Sequence, residues 1–118
     1  MSASARAGAL IGFLAVLLAV DTQVALPGQL ALGALTWIAL GLALLPTSPL
    51  RRAQTVVVVV VATCGEIVGS IIWGVYTYRL ENLPSFVPPA HGLVYLAGAA
   101  LAGWAARRQR LLVGAALV

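Results

Sequence analysis

Ala53-Gln54-Thr55-Val56-Val57-Val58-Val59-Val60-Val61-Ala62-Thr63-Cys64-Gly65-Glu66-Ile67-Val68-Gly69-Ser70-Ile71-Ile72-Trp73-Gly74-Val75-Tyr76 is the stretch that decides the fold. Its six consecutive valines suit a strand in water, where β-branched side chains pack well on a pleated backbone. The run stays largely apolar as far as Tyr76, however, and a segment of that length is read as a helix in lipid. A bilayer offers no water to free N–H and C=O groups, so the backbone must pair within the segment. The rest of the chain agrees: its 118 residues are 62% hydrophobic and 8% charged, with a mean hydropathy of +1.04. Soluble domains carry about a quarter charged residues. The chain is an integral membrane protein of the all-α class.

Outward from that stretch, the same criterion of roughly 20 mainly apolar residues places spans at about Ala5–Ala25, Gln29–Leu45, Ala53–Tyr76 and His91–Ala106. Pro27-Gly28 and Pro46-Thr47-Ser48-Pro49 punctuate the first two joins, and a loop over residues 77–90 with Pro84, Pro88 and Pro89 makes the third. The expected fold is a single domain, a bundle of four transmembrane helices. The apolar tail Leu111–Val118 is too short to cross a bilayer. It reads either as an interfacial segment or as the start of a fifth span cut short. Gly8 with Gly12, Gly65 with Gly69, and Ala99 with Gly103 are each four apart, the spacing that lets helix backbones approach in lipid.

The formal charge of +4 comes from seven basic residues, all arginine, against three acids. Because these arginines flank apolar runs and form no soluble basic face, nucleic acid is excluded as a partner and membrane lipids are favoured. Arg6, Arg51 with Arg52, and Arg107, Arg108 and Arg110 fall on one side of a four-span chain. The positive-inside rule then puts both termini in the cytoplasm, the 77–90 loop outside, and the protein in the plasma membrane. Arg6 before an apolar run imitates a signal peptide, but further spans follow and the first helix is read as retained.

Chemistry-bearing residues concentrate between Cys64 and His91. Thr63, Glu66, Ser70, Trp73 and Thr77 follow a three-to-four spacing and share one face of a helix. An acid within a span is costly, by about 2.5–3.5 kcal/mol on insertion scales, and is a functional hypothesis by default. Glu66 is therefore the candidate proton donor, with the lone histidine, His91, within reach at the next helix start. Tyr76 and Tyr78 either line the site or anchor the span at the interface. Asp21, at the outer end of the first span, is expected to approach the same cavity. Arg79 either pairs with Glu81 or holds a lipid phosphate, and Asn82 reads as turn chemistry or as a substrate contact. One histidine, one cysteine (Cys64) and separated acids make no metal set, and no motif for a cofactor is present.

The order Glu66, Gly69, Gly74-Val75-Tyr76-Thr77-Tyr78, Pro84, Val87-Pro88 resembles the membrane-embedded carotenoid-biosynthesis proteins that include bacterioruberin hydratases. The resemblance covers roughly residues 66–91. It implies acid–base chemistry on a polyprenyl or carotenoid chain, with Glu66 as the acid and Tyr76 and Tyr78 lining the site. This chain is shorter than that family, and His91 follows Pro88-Pro89 where an apolar helix start would stand. The Arg-only basic usage and Ala, Val and Gly richness are also similar to actinobacterial integral membrane proteins. Three functions follow as expectations: an enzyme acting on an isoprenoid or other lipid, a small accessory subunit docking on a membrane protein partner or on itself as a homo-oligomer, and a proton-coupled transporter.

Overall fold

The computed structural model describes residues 1–117, and all of its regular structure is helical. The helices are α1 (Ala3–Asp21), α2 (Leu26–Leu44), α3 (Pro49–Glu66), which continues into a π-helical stretch (Ile67–Ile72), and α4 (Val87–Ala116). The valine run is helical. Three segments, Ala3–Asp21, Leu26–Leu44 and Pro49–Ile72, are apolar and long enough to cross a membrane.

Local chemistry sets the helix ends. Ser2 Oγ accepts from Ala5 N–H at 3.1 Å and Ser48 Oγ from Arg51 N–H at 3.2 Å, each satisfying an orphan donor at a helix start. Pro27 lies inside the first turn of α2, not in a break before it. A proline there gives up only an N–H that would have no helical partner anyway. Two arginines close helix C-termini. Arg52 donates to the carbonyls of Leu44 at 3.2 Å and Leu45 at 2.8 Å. Arg79 donates to those of Asp21 at 2.5 Å and of Val24. Leu44 and Asp21 are the last residues of α2 and α1, so each guanidinium meets the negative end of a helix dipole.

α4 is the helix on which the bundle is organised, since α1, α2 and α3 all pack against it. Two apolar clusters lie along it: Leu17, Phe86 and Val87 near its start, and Leu40, Leu93 and Leu96 further on. Buried Thr36 and Thr55 donate to the carbonyls of Leu32 and Arg51 one turn back, so neither leaves a polar group unpaired. Close approach occurs at Gly92, where an added Cβ would stand 2.9 Å from Leu40 Cδ1, and at Gly33, where it would collide with Ser85. The expected pairs do not serve that purpose, because nothing lies within 4 Å of an added Cβ at Gly8, Gly12, Gly65 or Gly103.

The second difference from expectation is at the C-terminus. α4 runs straight through the Arg107–Arg110 cluster, and Leu111–Ala116 forms its last turns. These residues continue α4 and form no helix of their own; Val118 lies outside the described residues. From Leu101 onward every described residue is exposed, and the molecule measures 59 × 26 × 25 Å. The bundle is short, and α4 projects from one end of it.

Candidate functional site

At the other end, the π-helical stretch places Glu66. Its wider turns are seen in Trp73 N–H donating to Val68 O at 2.8 Å, five residues back, and Val75 N–H to Gly69 O at 2.8 Å, six back. Such stretches shift the phase of a helix and recur at functional sites. The phase shift ends the three-to-four stripe expected from the sequence. Trp73, assigned to the stripe, is 74% exposed. Gly74, at φ 62°, then reverses the chain, and Tyr76 folds back over Gly69, where an added Cβ would stand 3.1 Å from the ring.

This return brings four of the expected residues together. Tyr76 and Tyr78 both donate their phenolic hydrogens to Glu66 Oε2, the latter at 2.6 Å. His91 Nε2 stands 3.5 Å from Glu66 Oε1. The His91 Nδ1 lies 2.9 Å from the Val87 carbonyl, one turn back on α4. A carbonyl only accepts, so Nδ1 carries a hydrogen and Nε2 is the nitrogen left to exchange a proton with Glu66. The Tyr76 and Tyr78 rings meet edge to face at 5.8 Å. Both phenols lie beyond the spanning segment and titrate above their ordinary value: Tyr76 chiefly through its hydrogen bond to Glu66, and Tyr78 chiefly through burial and then through the same carboxylate.

Asp21 belongs to a second, separate cluster. It accepts from Gln29 Nε2 at 3.1 Å, Gln29 Oε1 accepts from Asn82 Nδ2 at 2.8 Å, and Arg79 approaches Asp21 Oδ1 at 4.0 Å. Among the described residues no hydrogen bond or ion pair joins this cluster to Glu66, so the two carboxylates do not converge as the sequence suggested. Nor does Arg79 pair with Glu81. It reaches back to the end of α1, where two carbonyls and a carboxylate compete better than one exposed side chain, and Glu81 is exposed at φ 55°. Ser70 spends its hydroxyl on the Glu66 carbonyl at 2.6 Å, its own helix backbone, and not on the carboxylate.

Gln29 was missed by sequence reasoning, although it is buried to 1% exposure and holds the second cluster together. A signal was present, since a glutamine inside an apolar helix needs an internal partner. A cleft of about 140 Å³ lined by Ser70, Thr77, Tyr78 and Asn82 opens beside both clusters. Asn82 Oδ1 is buried without a hydrogen-bond partner. Among the described residues there is no group of three or more His, Cys, Asp or Glu side chains able to hold a metal. No protein-family model, curated protein or solved structure matches the chain.

Proposed function

We propose that this protein is a membrane-embedded acid–base enzyme acting on the unsaturated chain of a polyprenyl, carotenoid or related lipid. The observation that carries the reading is the Glu66 carboxyl, with two phenols on Oε2 and an imidazole nitrogen at Oε1. Glu66 in its acid form delivers a proton to one carbon of a trisubstituted double bond, and the cation forms on the other. Water adds to that cation, and the proton it releases goes to His91 Nε2 and back to Glu66. The sum is addition of one water across one double bond, with the acid regenerated. Tyr76 and Tyr78 hold the carboxyl in place, and their rings offer electron-rich faces to a passing cation. The likeness of residues 66–91 to the carotenoid hydratases supports the same reading.

In this reading α4 completes a four-span bundle in the plasma membrane, both chain ends cytoplasmic and the Glu66 site toward the outer face. The concentration of arginine at one end supports that orientation.

Membranes containing the protein, incubated in D2O with a polyprenyl substrate, are expected to yield a hydrated product carrying one carbon-bound deuterium. Glu66→Gln should lower its formation by about 10²–10⁴-fold, the range for removing a general acid. Undiminished formation in that variant overturns the assignment of the acid.

A second reading, as an accessory subunit, rests on the exposed length of α4 beyond Leu101. Crosslinking from that length to another membrane protein would support it.

A further inference from the structure

The arginine-bearing end of the bundle contains a cavity that the Glu66 chemistry does not use. It has a volume of about 160 Å³ and is lined by Arg6, Leu10, Ala43, Thr47 and Arg51, among others. Two arginines line it and no acid does. The three acids of the chain, Asp21, Glu66 and Glu81, all lie toward the opposite end. Arg51 donates only to the neutral phenol of Tyr95, at 2.6 Å, and lies over its ring. The Arg6 side chain makes no hydrogen bond or ion pair among the described residues. Two cations lining one cavity without a counter-charge repel each other until an anion sits between them.

The cavity does not end there. Arg6, Leu10 and Ala43 also line a second, mostly apolar hollow of about 330 Å³ that continues past Phe13, Ala39 and Leu42. Phe13 is seven positions beyond Arg6 on α1, about 10 Å further along the helix axis. The hollow therefore runs from the charged end of the bundle toward the middle of the apolar helices, along the seam between α1 and α2. A charged head at the interface and an apolar tail directed inward is the shape of a phospholipid. Basic pockets between membrane helices are recognised lipid headgroup sites.

We infer that this end of the protein binds one anionic phospholipid, its phosphate between Arg6 and Arg51 and one acyl chain in the groove between α1 and α2. A zwitterionic lipid is disfavoured, since its tethered cation would enter a site that already holds two.

The test is native mass spectrometry in mild detergent, titrating the full chain with phosphatidylglycerol, with phosphatidylcholine of the same chains, and with inorganic phosphate. The unmodified protein should retain one phosphatidylglycerol in preference to phosphatidylcholine. Arg6→Gln breaks no protein hydrogen bond and should weaken that binding about fivefold, which is the ~1 kcal/mol of one basic side chain near an anionic surface. Ala43→Trp fills the junction of the two hollows, leaves both arginines, and should abolish lipid retention. Equal affinity for the two lipids, or unchanged binding in Arg6→Gln, overturns the inference. So does inorganic phosphate that displaces the lipid while Ala43→Trp has no effect, because the anion would then bind without a chain.

Discussion

His91 Nε2 lies 3.5 Å from Glu66 Oε1, across the junction of α3 and α4, and His91 Nδ1 is tied to the Val87 carbonyl at 2.9 Å. The second contact selects the tautomer. Neutral His91 must carry its hydrogen on Nδ1 and present a lone pair to Glu66. The chain has one histidine, so a nitrogen-15 spectrum of labelled protein reads this site alone. The Nδ1–H form is expected once the ring is neutral, and Glu66→Gln should move the Nε2 resonance while leaving Nδ1 in place. A spectrum of the Nε2–H form would mean that the ring is held some other way.

The phenols carry a pH prediction. Tyr76 and Tyr78 titrate above their ordinary value in the folded protein, so the folded state holds their protons more tightly than the unfolded chain does. Their contribution to stability is fully present below the unfolded value, near 10. It declines as pH rises from there through the folded values. Thermal unfolding followed across that alkaline window should show a falling midpoint, and Glu66→Gln should flatten the fall. In the same variant, near-ultraviolet titration should show two of the three tyrosines moving down.

Arg79 and Glu81 are expected to differ sharply under mutation. Arg79→Ala frees the carbonyls of Asp21 and Val24 and removes the cationic partner of Asp21. Arg79 is 41% exposed, which trims the effect of the ion pair, and a loss of about 1–2 kcal/mol is expected. Glu81→Gln touches no partner and should stay within about 0.5 kcal/mol. Denaturant unfolding of the purified protein distinguishes them; equal losses would restore the Arg79–Glu81 pair.

Removing Gln29 should be more damaging than its distance from Glu66 suggests. Gln29→Leu removes the hydrogen-bond partner of Asn82 Nδ2 and of Asp21 Oδ1, both half-buried, at about 1 kcal/mol for each group. Hydrogen exchange should rise in the loop over residues 77–86 before global unfolding. Protection equal to that of the unmodified chain would show that the loop is held mainly by Phe86 and its apolar neighbours.

Glycine substitutions separate packed from unpacked helix surfaces. Gly33→Ala places a Cβ 2.8 Å from Ser85 Cβ and 3.2 Å from its backbone carbonyl carbon, and should cost about 1–3 kcal/mol. Gly8→Ala, Gly12→Ala and Gly103→Ala meet nothing within 4 Å and should be neutral or mildly stabilising, because alanine is the better helix former. Unfolding midpoints of the four variants check the order.

The all-helical class and three apolar helices long enough to cross a membrane followed from sequence alone, whereas the fourth helix runs ten residues past its expected end at Ala106. Composition and the length of each apolar run are local properties, and lipid leaves a long apolar backbone no alternative to helix. Glu66 and His91 were legible for the same reason: a titratable group stands out against Leu, Ala and Val. What pairs with what was decided by the tertiary structure. The π-helical stretch after Glu66 turned Trp73 outward, the reversal at Gly74 brought both phenols to one carboxylate oxygen, and the end of α1 drew Arg79 away from Glu81. Each outcome depends on the phase of a helix and the path of a loop. A helical periodicity assumes both to be regular, and spacing along the chain carries no information once one extra residue enters a turn.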